Sequence, residues 1–146
     1  MSYSWMMIDR AFFIRWKQLQ IADLTHLLRD LTNARRSMTQ PIIYVSITPA
    51  DHRVPTAEER QALNTFAAQA KHHCEVSYLV FEGDSMKHRI QRTALTSMLF
   101  LLQREHYSGT HIHKNVESVL QIIGPQMGRT QEELARQLRA REFMVD

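Results

Sequence analysis

Residues Ile42–Thr48 read Ile-Ile-Tyr-Val-Ser-Ile-Thr. Nearly all of them favour strand, and apolar side chains fall on both alternations. Such a strand needs cover on both faces, which suits a parallel sheet with helices on either side. Parallel neighbours can be joined only by crossovers, so the flanking segments should alternate strand with helix.

They do. Tyr3–Ile8 and Ala11–Trp16 are rich in aromatic and β-branched residues, which predicts two short strands about an Asp9-Arg10 turn. Residues 19–38 carry Ile21, Leu24, Leu27, Leu28 and Leu31 at helical spacing, and Pro41 restarts an extended chain. Thr56-Ala57-Glu58-Glu59 is a capping box. The helix it opens is predicted to reach His73, with Leu63, Phe66, Ala67 and Ala70 inward.

Residues 76–81 then read as a strand and 86–103 as a helix, apolar over a wide arc from Ile90 to Leu102 and therefore expected to be the most buried. Thr110–His113 is a short strand. Residues 116–123 form a helix with Val116, Val119, Leu120 and Ile123 inward, stopped by Gly124-Pro125. Thr130-Gln131-Glu132-Glu133 is a second capping box, opening a tail helix to about Arg141. All four glycines and all four prolines fall between the predicted segments. The expected class is α/β: a mostly parallel sheet with an N-terminal hairpin, order ββαβαβαβα, plus a C-terminal tail helix. Residues 1–124 are expected to form the domain, and 125–146 a hinge and an amphipathic helix.

The 146 residues suit one domain. The net charge of +3 is too small an excess to mark a nucleic-acid binder, and none is expected as a partner. The basic residues are 14 arginines and four lysines, a choice that favours bidentate pairing with carboxylate or phosphate. The longest apolar run, residues 94–102, falls far short of the roughly 20 residues of a membrane span. Asp9, Arg10 and Arg15 interrupt the start, so no signal peptide is read. A single cysteine, Cys74, allows no internal disulfide and suits a reducing compartment. A cytoplasmic protein is expected.

The order of several stretches resembles the STAS and CRAL-TRIO-like group, the SpoIIAA-like fold of anti-sigma-factor antagonists. These are Phe-Phe-Ile-Arg-Trp followed by Ala-Asp-Leu-Thr-His-Leu-Leu; Pro-Ile-Ile-Tyr-Val-Ser-Ile-Thr-Pro; Leu-Val-Phe-Glu-Gly before an Ile-Gln-Arg helix; and Thr-His-Ile-His before Val-Glu-Ser-Val-Leu-Gln-Ile-Ile. The resemblance covers about residues 5–123. It implies a regulatory, partner-binding domain in bacterial signalling, sometimes a carrier of apolar ligands, and no enzyme. In phosphoregulated members a serine in an Asp-Ser-Ser-Gly-like turn begins a helix. Asp84-Ser85 sits at a comparable turn, but Met86-Lys87 follows it, so a plain helix cap by Asp84 or Ser85 is the stronger reading.

The charged turn after the third predicted interior strand is the expected working surface. Gly83, Asp84, Ser85, Lys87, His88, Arg89 and Arg92 surround a helix start. Cations there are unfavourable next to the helix dipole unless an anion or acidic partner meets them. The competing reading is a solvated basic face.

His111 and His113 would share a strand face, but two imidazoles without further ligands do not make a zinc site, so no metal or other cofactor is expected. His72, His73 and Cys74 are sequence neighbours, which does not make a nucleophilic pair. Glu82 and Asp84 flank Gly83 at a strand end and, with His113, form the weakest alternative, an acid–base enzyme. Leu134, Leu138 and Arg141 mark a tail helix that either meets another chain, as in a homodimer, or packs on its own domain. The leading expectation is a non-catalytic module that binds a regulatory protein partner through 83–92. The alternative is a carrier of a small apolar or anionic ligand.

Overall fold

The computed structural model describes residues 2–93 and 109–144. It is an α/β fold. Strands β1 (Tyr3–Ile8), β2 (Ala11–Trp16), β3 (Ile42–Thr48), β4 (Cys74–Phe81) and β5 (Thr110–His113) lie side by side in chain order. β1 pairs antiparallel with β2, and every later pair is parallel. Helices α1 (Ile21–Arg36), α2 (Ala57–Ala70), α4 (Val116–Gln126) and α5 (Gln131–Ala140) supply the crossovers and the tail. A further helix, α3, opens at residue 86 and is described through 93.

Alternation along the strands divides the core into two layers. Phe12, Ile14, Ile42 and Tyr44 face Leu24, Leu27 and Leu31 of α1 and Phe66 and Ala70 of α2. Phe13, Ile43, Val45, Ile47 and Val80 face Val119, Leu120 and Ile123 of α4 and Leu134 and Leu138 of α5. Both faces of β2 and β3 are thus covered, as the run at Ile42–Thr48 requires.

Ends and turns account for the departures from the expected boundaries. α1 is shorter than expected, and Ile21 at its first position is 37% exposed rather than inward. Leu63 and Ala67 of α2 are only half-buried. The capping box at Thr56 forms in full: Glu59 N–H donates to Thr56 Oγ1 at 3.2 Å and Thr56 N–H donates to Glu59 Oε1 at 2.9 Å. At Thr130 only one half is seen. Thr130 accepts from Glu133 N–H, while the Glu133 carboxylate lies 3.9 Å from Arg129.

Gly124 and Pro125 do not stop α4; both lie inside its last turn. Pro125 has no N–H to offer the Gln121 carbonyl, and it stands one residue from the end of α4. Gly124 is there for close approach. A Cβ would stand 2.8 Å from the Arg129 carbonyl oxygen, and Arg129 N–H donates to Gly124 O at 2.9 Å. The residues expected to act as a hinge therefore form a tight corner.

The corner turns α5 onto the sheet. Leu134 and Leu138 are fully buried, Phe143 and Met144 nearly so, and all belong to the same core layer as α4. The two leucines named as a tail interface are spent inside the chain, and Arg141 stays exposed. Burying four large apolar groups stabilises the fold by roughly 1.5–3 kcal/mol each, which explains why a helix with few apolar positions still docks.

Candidate binding site at the ends of the central strands

The C-terminal ends of β3 and β4 form one edge of the sheet, where ligands of open α/β folds sit. Glu82 N–H donates to Thr48 O at 3.0 Å, so the two strands stay together to their last residues. The chain then turns at Gly83, whose φ of +119° suits glycine. The His88 ring packs against this backbone, closer than any Cβ would permit.

Ser85 is the cap of α3. Its Oγ accepts from His88 N–H at 3.3 Å and contacts His88 Nδ1 at 2.6 Å. His88 Nε2 lies 2.9 Å from the Ala50 carbonyl oxygen. A carbonyl only accepts, so Nε2 carries the proton, Nδ1 is the acceptor, and the Ser85 hydroxyl donates to it. His88 thereby ties the loop after β3 to the loop after β4.

The other cations of the turn divide their roles. Arg92 Nη1 donates to Phe81 O at 3.0 Å and to Gly83 O at 2.6 Å, which pins the end of β4. Arg89 leans toward Asp84 at 3.4 Å, both largely exposed, a contact of small energetic value. Lys87 is exposed. The seven residues 83, 84, 85, 87, 88, 89 and 92 do come together, but as a braced turn more than as a ring of cations around an empty centre.

Burial of α3 runs against expectation over its described part. Met86 is 76% exposed and Ile90, expected inward, is 62% exposed. The inward positions expected on 94–103 lie outside the described residues.

Beside this turn, a cleft of about 730 Å³ opens between α2, the start of α3 and the sheet. Tyr44, Phe66, Leu79, Phe81 and Ile112 form part of its apolar wall. Among the described residues, Arg53, Arg60, Lys71 and Arg92 are the lining cations, against Glu75 and Glu82 as lining carboxylates. Glu82 is held by Arg15 at 2.8 Å, and Arg15 also donates to Phe143 O. Asp84 turns instead to Arg89, so the two carboxylates flanking Gly83 answer to different partners.

One rim of the cleft is tightly wired. Leu19 N–H donates to His52 Nε2 at 2.9 Å, so His52 Nδ1 is the protonated nitrogen facing Arg53 O at 2.7 Å. Arg53 grips Glu59 with both terminal nitrogens, at 2.5 and 2.6 Å. The Arg53 hydrogen bonds, then the Thr56 amide, pull the Glu59 carboxyl down to about 2. Cys74 also lines the cleft, and burial pushes its thiol up to about 12, which leaves it protonated and unreactive. His73 contacts Thr32 Oγ1 at 3.3 Å, which takes it to α1 rather than to the thiol.

His111 and His113 do share a face of β5, with the Tyr78 ring packed against both. Ser118 Oγ donates to Asn115 O and therefore accepts from His113 Nδ1–H at 2.8 Å. Burial, then the neighbouring His111, lowers the His113 pKa. Among the described residues, no group of three or more His, Cys, Asp or Glu side chains is placed to hold a metal ion.

Comparison with protein-family models, with curated proteins and with solved structures returned no match. Among the described residues, no helix is long and apolar enough to cross a membrane. Sequence reasoning missed the cleft because its walls come from β2, β3, α2, β4, α3 and β5, which only the folded chain brings together. The one available signal was the alternation that puts Tyr44, Ser46 and Thr48 on one face of a strand already read as central.

Proposed function

We propose that this chain is a non-catalytic binding protein that holds a small amphipathic molecule, with an apolar body and an anionic group, in the cleft beside β3 and β4. The observation that carries the reading is the cleft: about 730 Å³, running along β4 from Cys74 to Phe81 and reaching the C-terminal ends of β3 and β4, the edge where open α/β sheets bind ligands. Ligand sites typically run to about 300–1,000 Å³ with apolar walls and few polar groups. Among the described residues, and with Arg53 already paired to Glu59, the lining cations Arg60, Lys71 and Arg92 still outnumber the lining carboxylates Glu75 and Glu82, which favours an anionic head group. The sequence resemblance to the CRAL-TRIO-like group, some members of which carry apolar ligands, points the same way.

Native mass spectrometry of freshly purified protein tests it. A mass excess that disappears on denaturation is expected, and Leu79→Trp, which fills the cleft, should abolish it while the protein still melts cooperatively. If the wild-type protein shows no excess and takes up no fluorescent fatty-acid probe, the reading fails.

A second reading is a regulatory module of bacterial signalling, cytoplasmic and STAS-like, that binds a protein partner through 83–92. It is favoured by the exposure of Met86 and Ile90, one helical turn apart and flanked by Lys87 and Arg89. The double variant Lys87→Glu, Arg89→Glu should weaken capture of an acidic partner at least tenfold. Unchanged affinity would remove this reading and leave the cleft reading untouched.

A further inference from the structure

We propose that two copies of this chain pair through their β1 strands, antiparallel across a two-fold axis, so that two five-stranded sheets become one. Among the described residues β1 has a strand partner on one side only, β2. Its other edge presents main-chain donors and acceptors to the outside.

Proteins usually blunt such an edge with charge, proline, a bulge or shortness. β1 has none of these. Its six residues, Tyr-Ser-Trp-Met-Met-Ile, carry no charge and no proline, and they pair with β2 in unbroken register from Tyr3↔Trp16 to Ile8↔Ala11. The opposite edge differs. β5 has only four residues and carries His111 and His113.

The β1 edge also has a shaped flank. Trp5 is 36% exposed and lies flat on Phe12, with ring centroids 4.9 Å apart and planes 9° apart. Beside it a recess of about 560 Å³ is lined by Trp5, Met7, Ala34 and Met38, with Asp9 and Arg10 of the turn after β1 also on its wall. A strand added to β1 would send alternate side chains over this recess while its backbone completes the ladder, as in strand addition generally.

A second copy fits that role best. An antiparallel two-fold seam is self-complementary, since each strand offers what the other accepts. An uncharged strand meets an uncharged twin without repulsion, and Trp5 and Met7 of each copy lie on the recess side. The tail helix, the other surface considered for self-association, has its leucines buried in its own core. Among the described residues, pairing leaves only the short β5 edges at the ends, so assembly stops at two. Six residues per copy make a small seam, so the dimer depends on concentration.

Sedimentation velocity on the full chain, from low micromolar to several hundred micromolar, tests this. The wild type should pass from one-chain to two-chain mass. Trp5→Lys should weaken the association at least tenfold, while His111→Lys at the far edge should leave it unchanged. Should Trp5→Lys fail to melt cooperatively, amide exchange on the wild type decides: protection of residues 3–8 must rise with concentration. One-chain mass throughout, a dimer indifferent to Trp5→Lys, dissociation by His111→Lys, or concentration-dependent protection elsewhere would each overturn the proposal.

Discussion

The imidazole of His88 lies where a side chain on Gly83 would have to be: a Cβ at that position would meet ring atoms at 2.5 to 2.8 Å. The contact explains why the loops after β3 and β4 hold one shape. Gly83 supplies both the space and the φ of +119°, and His88 uses that space to reach Ala50.

Gly83→Ala should therefore act twice, through backbone strain and through expulsion of the ring. A loss of about 1–3 kcal/mol is expected, in the range for a residue forced into such a conformation. Urea denaturation measures it. His88→Ala in the same background should recover part of the loss, because the clash is then gone and only the strain remains. Full additivity of the two changes would contradict the packing argument.

Leu138→Ala should cost about 2–5 kcal/mol, the range for deleting a fully buried leucine. The side chain is in the sheet's own core layer. A change below about 0.5 kcal/mol, typical of a surface position, would mean that α5 does not dock in solution.

Glu59 sets a pH dependence. Its carboxyl is held at about 2 when folded against an ordinary 4.5, so the unfolded chain takes up the proton first as pH falls. The stabilisation is fully present above about pH 4.5 and is lost as pH drops toward 2. Melting temperatures across that window should fall in the wild type and fall less steeply in Glu59→Gln. Parallel curves would show that the Arg53 contact contributes nothing.

Cys74 should resist thiol reagents. Its thiol, raised to about 12 by burial, leaves almost no thiolate at neutral pH. Labelling with a disulfide-exchange reagent should be slow in the native state and at least a hundredfold faster in urea. Rapid native labelling would reopen the idea of a reactive cysteine beside His73.

The class of fold was legible in the sequence because it rests on local periodicity. Ile42–Thr48 could only be a covered strand, and the leucines of α1 and the Thr56 capping box announced their helices before any contact was known. The turn at 83–92 was legible for the same reason, as a glycine between a strand and a helix start.

What those residues do was decided by tertiary structure. No spacing in the sequence says that Arg92 turns back to the carbonyls of Phe81 and Gly83, or that His88 meets Ala50, 38 residues away. Charge alone suggested a cationic surface, and three-dimensional pairing spent much of that charge on bracing the loop. The tail shows the same limit. Its few apolar positions left open whether it packs on its own domain or meets another chain, and Gly124 lets the chain fold back so closely that Leu134 and Leu138 reach the layer under β2 and β3. Local propensity determined the elements of this protein. The cleft, the braced turn and the open β1 edge arise only where distant elements meet, because burial and pairing are properties of neighbours in space.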